Sequence, residues 1–202
     1  HLAQLKNQDS PFFTWYHYLD THLPYSSADG KSDEVSSRIQ QLDPGQRQRL
    51  QLVANNGAVH FEEAVYQAED IELIHKLQEV PIAGFDKWFG DFWEFFHQSG
   101  LNRNTILILT ADHGDEHGER GMVGHASTTQ LGHLHEEIVR VPLFIWLPQN
   151  IYHENSNKEI TTPSSHIDLI PTIFALLGKK TSRPLTGRNL FSHTPPSPWL
   201  AM

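Results

Sequence analysis

Residues 105–124 read TILILTADHGDEHGERGMVG, and His125 follows at once. The first seven, TILILTA, are a short aliphatic run bounded by polar turns, the pattern of a central strand in a mostly parallel sheet. A second run of this kind, RVPLFIWLP, occupies residues 140–148. Helical stretches lie between such runs, so the expected fold class is α/β, a mostly parallel central sheet flanked by helices. In open sheets of that kind, ligands gather where the carboxyl ends of strands meet loops. Asp112 and His113 stand at such an end.

Upstream, PFFTWYHYLD at 11–20 is aromatic and nearly continuous in its apolarity, which predicts another buried strand before the turn-forming THLPYSSADGKS. Residues 32–53 carry a weak helical periodicity broken by Asp43-Pro44-Gly45, predicting two short exposed helices with a turn between them. A helix is expected over 61–77, and Val80-Pro81 should break or kink the chain before the next one. That next helix repeats Phe85, Trp88, Phe89, Phe92, Trp93 and Phe96 at helical spacing, a stripe that reads as core, and ends near Ser99-Gly100. Residues 150–162 read as a polar connection. Residues 166–177 read as a helix closing at Gly178, with Pro171 tolerated near its first turn. The proline-rich end, 192–202, reads as a surface tail.

With 38% hydrophobic residues in 202, the chain can bury a real core, and one domain over 1–202 is expected. Its 24 acidic against 15 basic side chains give a formal net charge of -9, which argues against nucleic acid as a partner. No apolar run approaches the roughly 20 residues of a membrane span. The absence of cysteine excludes disulfides, thiolate metal sites and a cysteine nucleophile within these residues. Fourteen histidines are an excess of the residue that most often ligates metals and that titrates near neutrality. The chain opens at His1, abruptly before a strand-like run, and is expected to be a piece of a longer protein.

Two polar clusters carry candidate chemistry. Asp112 and His113 offer an oxygen and a nitrogen ligand to a divalent cation such as calcium, magnesium, manganese or zinc, although two ligands complete no shell. The bland alternative is that Asp112 caps a turn and His113 is a satisfied buried histidine. Glycines at 114, 118, 121 and 124 give a loop able to bring His125 back over the pair. Asp115, Glu116, His117, Glu119 and Arg120 read as a solvated loop face. The second cluster is His17, Asp20 and His22; His22 sits in a turn before Pro24 and is the stronger candidate, while His17 also reads as a core residue.

The order PFFTWYHYLDTHLPY, TILILTADHGDEHGERGMVGH, HEEIVRVPLFIWLP, SHIDLIPTIFALLG and LTGRNLF resembles the sulfatases of the alkaline-phosphatase superfamily. The resemblance spans nearly the whole chain and implies an alkaline-phosphatase-like α/β fold, incomplete here, that hydrolyses sulfate esters of small molecules or glycans with a divalent cation, most often Ca2+. By motif position it implies that Asp112 and His113 are metal ligands, and that His125 and His22 contact the sulfate ester or its leaving group. Glu136, Glu137 and Arg140 would form a structural charge network, and Asp168 would orient the start of a helix. Work outside the cytoplasm, in a periplasmic or secreted setting, is the family's habit.

The family also carries two further metal-binding aspartates and a cysteine or serine converted to formylglycine, inside a Cys/Ser-x-Pro-x-Arg signature, ahead of the HLPY turn. HLAQLKNQDS, the ten residues before Pro11, contain neither, and Ser182 in SRPLTGR does not match the signature. The chain is therefore expected to be the carboxy-terminal part of a sulfatase-type catalytic domain, without a nucleophile of its own and completed by a missing amino-terminal part. Two alternatives stand beside it: a phosphoesterase or phosphonate hydrolase of the same superfamily, and a non-catalytic binding domain that keeps the fold.

Overall fold

The computed structural model describes residues 10–25, 33–56, 59, 64–125, 134–151 and 159–192. The chain divides into two compact units, His1–Trp146 and Leu147–Met202. The expected tail at 192–202 lies outside the described residues, apart from its first.

In the first unit, α1 (Asp33–Gln40) and α2 (Pro44–Asn55) are the two short helices that the Asp43-Pro44-Gly45 break predicts, but they are not simply exposed: Ile39, Leu50 and Val53 are buried. Asp43 caps α2, its Oδ1 accepting from the backbone N–H groups of Gly45 and Gln46 at 3.0 and 3.1 Å, while Pro44 fills a first-turn position that needs no donor. The helix α3 (Ala68–Gln98) differs from expectation: it starts seven residues later than 61 and runs unbroken for 31 residues through Pro81. A mid-helix proline costs about 3 kcal/mol in lost hydrogen bonding and ring clash. Burial of Pro81 itself, and of Leu73, Ile74 and Leu77 on the turns before it, offsets that cost. Leu73, Ile74 and Leu77 join Leu23, Tyr25, Ile39, Leu50, Val53, Val59, Tyr66 and Val123 in one core.

Arg49 on α2 locks this core to the start of α3. Its guanidinium donates to the fully buried Asp70 carboxylate through Nε at 2.6 Å and Nη2 at 3.1 Å. Asp70 Oδ2 also accepts the Gln67 N–H at 2.9 Å, so one buried carboxylate serves as both ion-pair partner and helix cap.

The second half of α3 carries the aromatic stripe, and only Phe96 of the six is buried. Phe85, Phe89, Phe92 and Phe96 stack one turn upon the next at 5.7–5.9 Å, and Trp93 meets Trp146 edge-on at 5.1 Å. The stripe is thus a half-covered face against a sheet.

That sheet pairs β1 (Leu107–Thr110) with β4 (Leu143–Trp146) in antiparallel register, Leu107 opposite Trp146 and Thr110 opposite Leu143. A second pair, β2 (Glu116–His117) and β3 (Val123–Gly124), is an antiparallel hairpin. The expected parallel central sheet is not formed among the described residues; both strand pairs are antiparallel. Residues 11–20 also depart from expectation. They form no strand, because no neighbouring strand among the described residues takes up their backbone groups. Phe13 and Trp15 remain 85% and 74% exposed, while Tyr18 packs on Phe85 and Trp88 of α3.

Between β3 and β4 lies the single-turn helix α4 (Glu136–Val139). In the second unit, a 3-10 turn (His166–Asp168) leads into α5 (Leu169–Leu176), which closes at Gly178 with φ 62°. The buried Asp168 carboxylate accepts the N–H groups of Ser165 at 3.0 Å and Arg188 at 2.8 Å. It therefore orients the helix start, as its position in HIDLIPT suggests.

Candidate active site

Three separate segments converge on one cluster of imidazoles. His22 comes from the turn after the aromatic segment, His113 from the loop after β1, and His125 from the residue after β3. One ring nitrogen from each lies within 4.8 Å of the others, and all three side chains are half-buried. The His113 and His125 ring centres are 4.1 Å apart, with His22 at 5.1 Å from His125 and 6.1 Å from His113.

The three rings are held in the same way. Nδ1 of His22 lies 2.8 Å from the Leu23 carbonyl oxygen, and Nδ1 of His113 lies 2.9 Å from that of Gly114. A carbonyl only accepts, so both rings carry their proton on Nδ1 and present Nε2 as the basic nitrogen. Nδ1 of His125 donates to Asp115 Oδ1 at 2.9 Å. Donation of one ring nitrogen to an oxygen acceptor fixes the tautomer and angle of an imidazole whose other nitrogen ligates a metal or meets a substrate.

Asp115 is the residue that sequence reasoning missed. It is no solvated loop side chain: it is 8% exposed, and its second oxygen accepts the Tyr25 hydroxyl at 3.1 Å. Burial pushes the Tyr25 phenol well above its ordinary pKa, with the Asp115 and Glu119 carboxylates adding to the effect, so Tyr25 is a fixed neutral donor. Glu116 is buried too, at 1% exposure, and pairs with Arg120, which bridges to Glu137 on α4. The expected Glu136–Glu137–Arg140 network is accordingly divided. Arg140 pairs with Glu136 at 2.7 Å on the surface, and Glu137 goes to Arg120.

The loop reaches its place by close backbone contact. Gly114 N–H donates to the Ile138 carbonyl at 2.8 Å, and a Cβ at 114 would stand 2.0 Å from the Glu137 carbonyl oxygen. Only glycine allows that approach. The hairpin then turns through Gly118 and Gly121, both at positive φ, and Gly121 accepts the Tyr66 N–H at 2.9 Å.

Asp112 stands beside this cluster and is mostly exposed. Its Oδ2 is 3.9 Å from His113 Nε2, and its Oδ1 accepts the His113 N–H at 3.1 Å. Partial burial opposes its ionisation, but backbone donors and the nearby His113 and His17 imidazoles outweigh this and hold the carboxyl below the usual range. His17 and Asp20 are exposed and stay outside the three-histidine cluster. Ser182 is an exposed residue of the second unit.

Chemically, an ionised carboxylate and three oriented imidazoles form a surface suited to a cation, to a tetrahedral anion, or to both. Comparison with known proteins agrees with that character. The family profile described as Sulfatase matches residues 1–179. An uncharacterized sulfatase, YidJ, of Escherichia coli is 33% identical over 89 residues, covering 44% of this chain and 16% of its own length. The multifunctional alkaline phosphatase superfamily protein PehA of Trinickia caryophylli is 25% identical over 98% of this chain and 41% of its own. The ulvan-active sulfatase of Formosa agariphila is 22% identical over 91% of this chain and 31% of its own. The chain thus spans less than half the length of these relatives. With the profile matching most of its residues, the chain belongs to the sulfatase family of the alkaline-phosphatase superfamily.

Proposed function

We propose that this chain supplies the later part of a metal-dependent sulfuric ester hydrolase. Asp112 and His113 would hold the cation, and His22 and His125 would contact the sulfate ester. The observation that carries the reading is the convergence of His22, His113 and His125, each with Nδ1 bonded to an oxygen acceptor, beside an ionised Asp112. Further ligands, the nucleophile and the remaining strands of a mostly parallel sheet would come from the part of the protein that the relatives possess beyond the matched region.

The donor set fits a divalent cation, and it favours an ion that accepts nitrogen ligands. Ca2+ and Mg2+ take oxygen ligands, whereas imidazole suits zinc, so His113 draws the site toward Zn2+ and away from the Ca2+ expected from the family. Such a cation would neutralise ester oxygens and stabilise negative charge that develops in the transition state.

The chain's own residues do the remaining work. His125, turned and held by Asp115, meets the ester from one side of the cluster and is placed to give a proton to a departing alkoxide oxygen. His22, fixed by its bond to Leu23, offers a second contact to the sulfate oxygens. Asp115 and Tyr25 contribute by positioning, because the His125 ring cannot rotate without breaking its bond to Asp115, whose other oxygen the Tyr25 hydroxyl holds.

A phosphoesterase or phosphonate hydrolase is the second reading, favoured by the alignment of nearly the whole chain with a relative named as multifunctional. Turnover of aryl sulfate and aryl phosphate by the full-length protein decides between them. Sulfate turnover that falls at least a hundredfold in Asp112→Ala and His125→Ala supports the sulfatase reading. A strong preference for phosphate replaces it with the second, and activity unchanged by either substitution sinks both.

A further inference from the structure

A second group of ligating side chains lies outside the three-histidine cluster. His75 projects from α3, His117 from β2, and Glu119 from the turn of the β2–β3 hairpin, and one ligand atom from each lies within 4.8 Å of the others. The His75 and His117 rings meet edge-on at 5.3 Å. His75 and Glu119 are exposed, whereas His117 is half-buried with its Nε2 shut off from solvent and bonded to no protein group among the described residues.

A buried imidazole nitrogen without a partner is costly and calls for one. The ordinary partners are a hydroxyl, a backbone group or a metal ion. The ring lies in a group with an imidazole and a carboxylate, which are themselves metal-ligand types.

We propose that His75, His117 and Glu119 form a second metal site that takes a transition-metal ion of the zinc type. Two imidazoles and a carboxylate are the ligand set of an open tetrahedral zinc site, with water in the fourth position. Donors around tetrahedral zinc stand about 3.3 Å apart, so closing the cluster onto an ion takes small side-chain rotations of the exposed His75 and Glu119. The exposed side of the cluster gives the ion a way in. Calcium, which takes oxygen ligands, would not compete for it.

The site joins two elements that the sequence keeps far apart. An ion there fastens the β2–β3 hairpin to α3, and the hairpin carries Asp115 just before β2 and His125 just after β3. Zinc at this place would stiffen the support of His125 without touching substrate. The inference does not rest on sulfate ester hydrolysis, and its test reads metal binding alone.

The test uses the purified protein stripped of metal, titrated with Zn2+ by calorimetry, and with Co2+ by the visible absorption of a four-coordinate ion. His75→Ala is the main variant, since the exposed ring can be removed without disturbing the core, and Glu119→Gln is the second. The reference is His22→Ala combined with His113→Ala, which disables the other cluster. The expected result is one zinc equivalent that persists in the reference protein, weakens at least tenfold in His75→Ala and Glu119→Gln, and shows a tetrahedral cobalt spectrum in the same pattern. Unchanged zinc stoichiometry and affinity in His75→Ala, or zinc binding lost altogether in the reference protein, overturns the proposal.

Discussion

Asp115 divides its carboxylate between two residues, Oδ1 accepting from His125 Nδ1 at 2.9 Å and Oδ2 accepting from the Tyr25 hydroxyl at 3.1 Å. A buried phenol in the core is thereby coupled, through a single carboxylate, to an imidazole of the candidate site. Tyr25 belongs to the structural core and His125 to the three-histidine cluster, so disturbance of the first is transmitted to the second.

Asp115→Asn in the full-length protein should lower kcat for sulfate ester hydrolysis by roughly tenfold to a hundredfold, because the amide can turn its NH2 toward His125 and reverse the ring's tautomer. KM should change less. His125→Ala should lose more, on the order of a hundredfold to ten-thousandfold, as expected for a proton-transfer group. A purely structural Asp115 would leave the pH profile of kcat in place; the positioning role requires the profile to move in Asp115→Asn.

Tyr25→Phe keeps the ring's packing and removes one hydrogen bond to a charged group, a loss of about 2 kcal/mol in unfolding free energy by denaturant titration. The pH dependence carries a second signature. The folded pKa of Tyr25 is raised, so its contribution is fully present below the unfolded value near 10.0 and is lost as pH climbs above it, where the unfolded chain ionises first. Wild-type stability should therefore fall above about pH 10, and Tyr25→Phe should flatten that fall.

Asp70→Asn removes the charge from a carboxylate that is fully buried under Arg49, leaving a partly buried guanidinium with only the exposed Glu69, 3.6 Å away, as counter-charge. A loss of about 3 kcal/mol is expected, because breaking one side of a buried pair costs more than the pair's net worth. Replacing both partners by apolar residues should cost less than the single change, and a double-mutant cycle on Arg49 and Asp70 measures the difference.

Gly114→Ala should be severely destabilising. The added methyl would stand 2.0 Å from the Glu137 carbonyl oxygen, so α4 or the loop must move. Circular dichroism melts should show a large drop in Tm, and any folded variant should show a displaced His113. A variant with wild-type Tm would mean that the contact yields easily.

Local chemistry made some of this structure readable from sequence. Asp43-Pro44-Gly45 marked a helix boundary because capping and the proline ring act within three residues. The runs at 105–111 and 140–148 contained β1 and β4, but their antiparallel pairing depends on which strands are neighbours, and aliphatic composition does not encode direction. Local rules weigh the ring and missing N–H of Pro81 and so predict a break there. The burial that outweighs them comes from α2 and the HLPY turn.

The site was legible to the same limit. His22, His113 and His125 could be picked out, and the structure brings all three together. Asp115 and Glu116 could not, since the Tyr25 partner of Asp115 is 90 residues away and Glu137, which shares Arg120 with Glu116, lies on another element. A carboxylate in a glycine-rich loop looks solvated until the fold closes over it.

The long helix α3 has one more consequence. At about 1.5 Å per residue its 31 residues extend roughly 46 Å. The half before Pro81 buries one face, Asp70, Leu73, Ile74 and Leu77, in the core, and the half after it lies along a two-stranded sheet with most of its rings half-covered. Amide hydrogens along a single helix should then exchange with solvent in two classes. Those near Ile74 would be released only by global unfolding, and those near Trp88 by a smaller local opening that leaves the histidine cluster assembled.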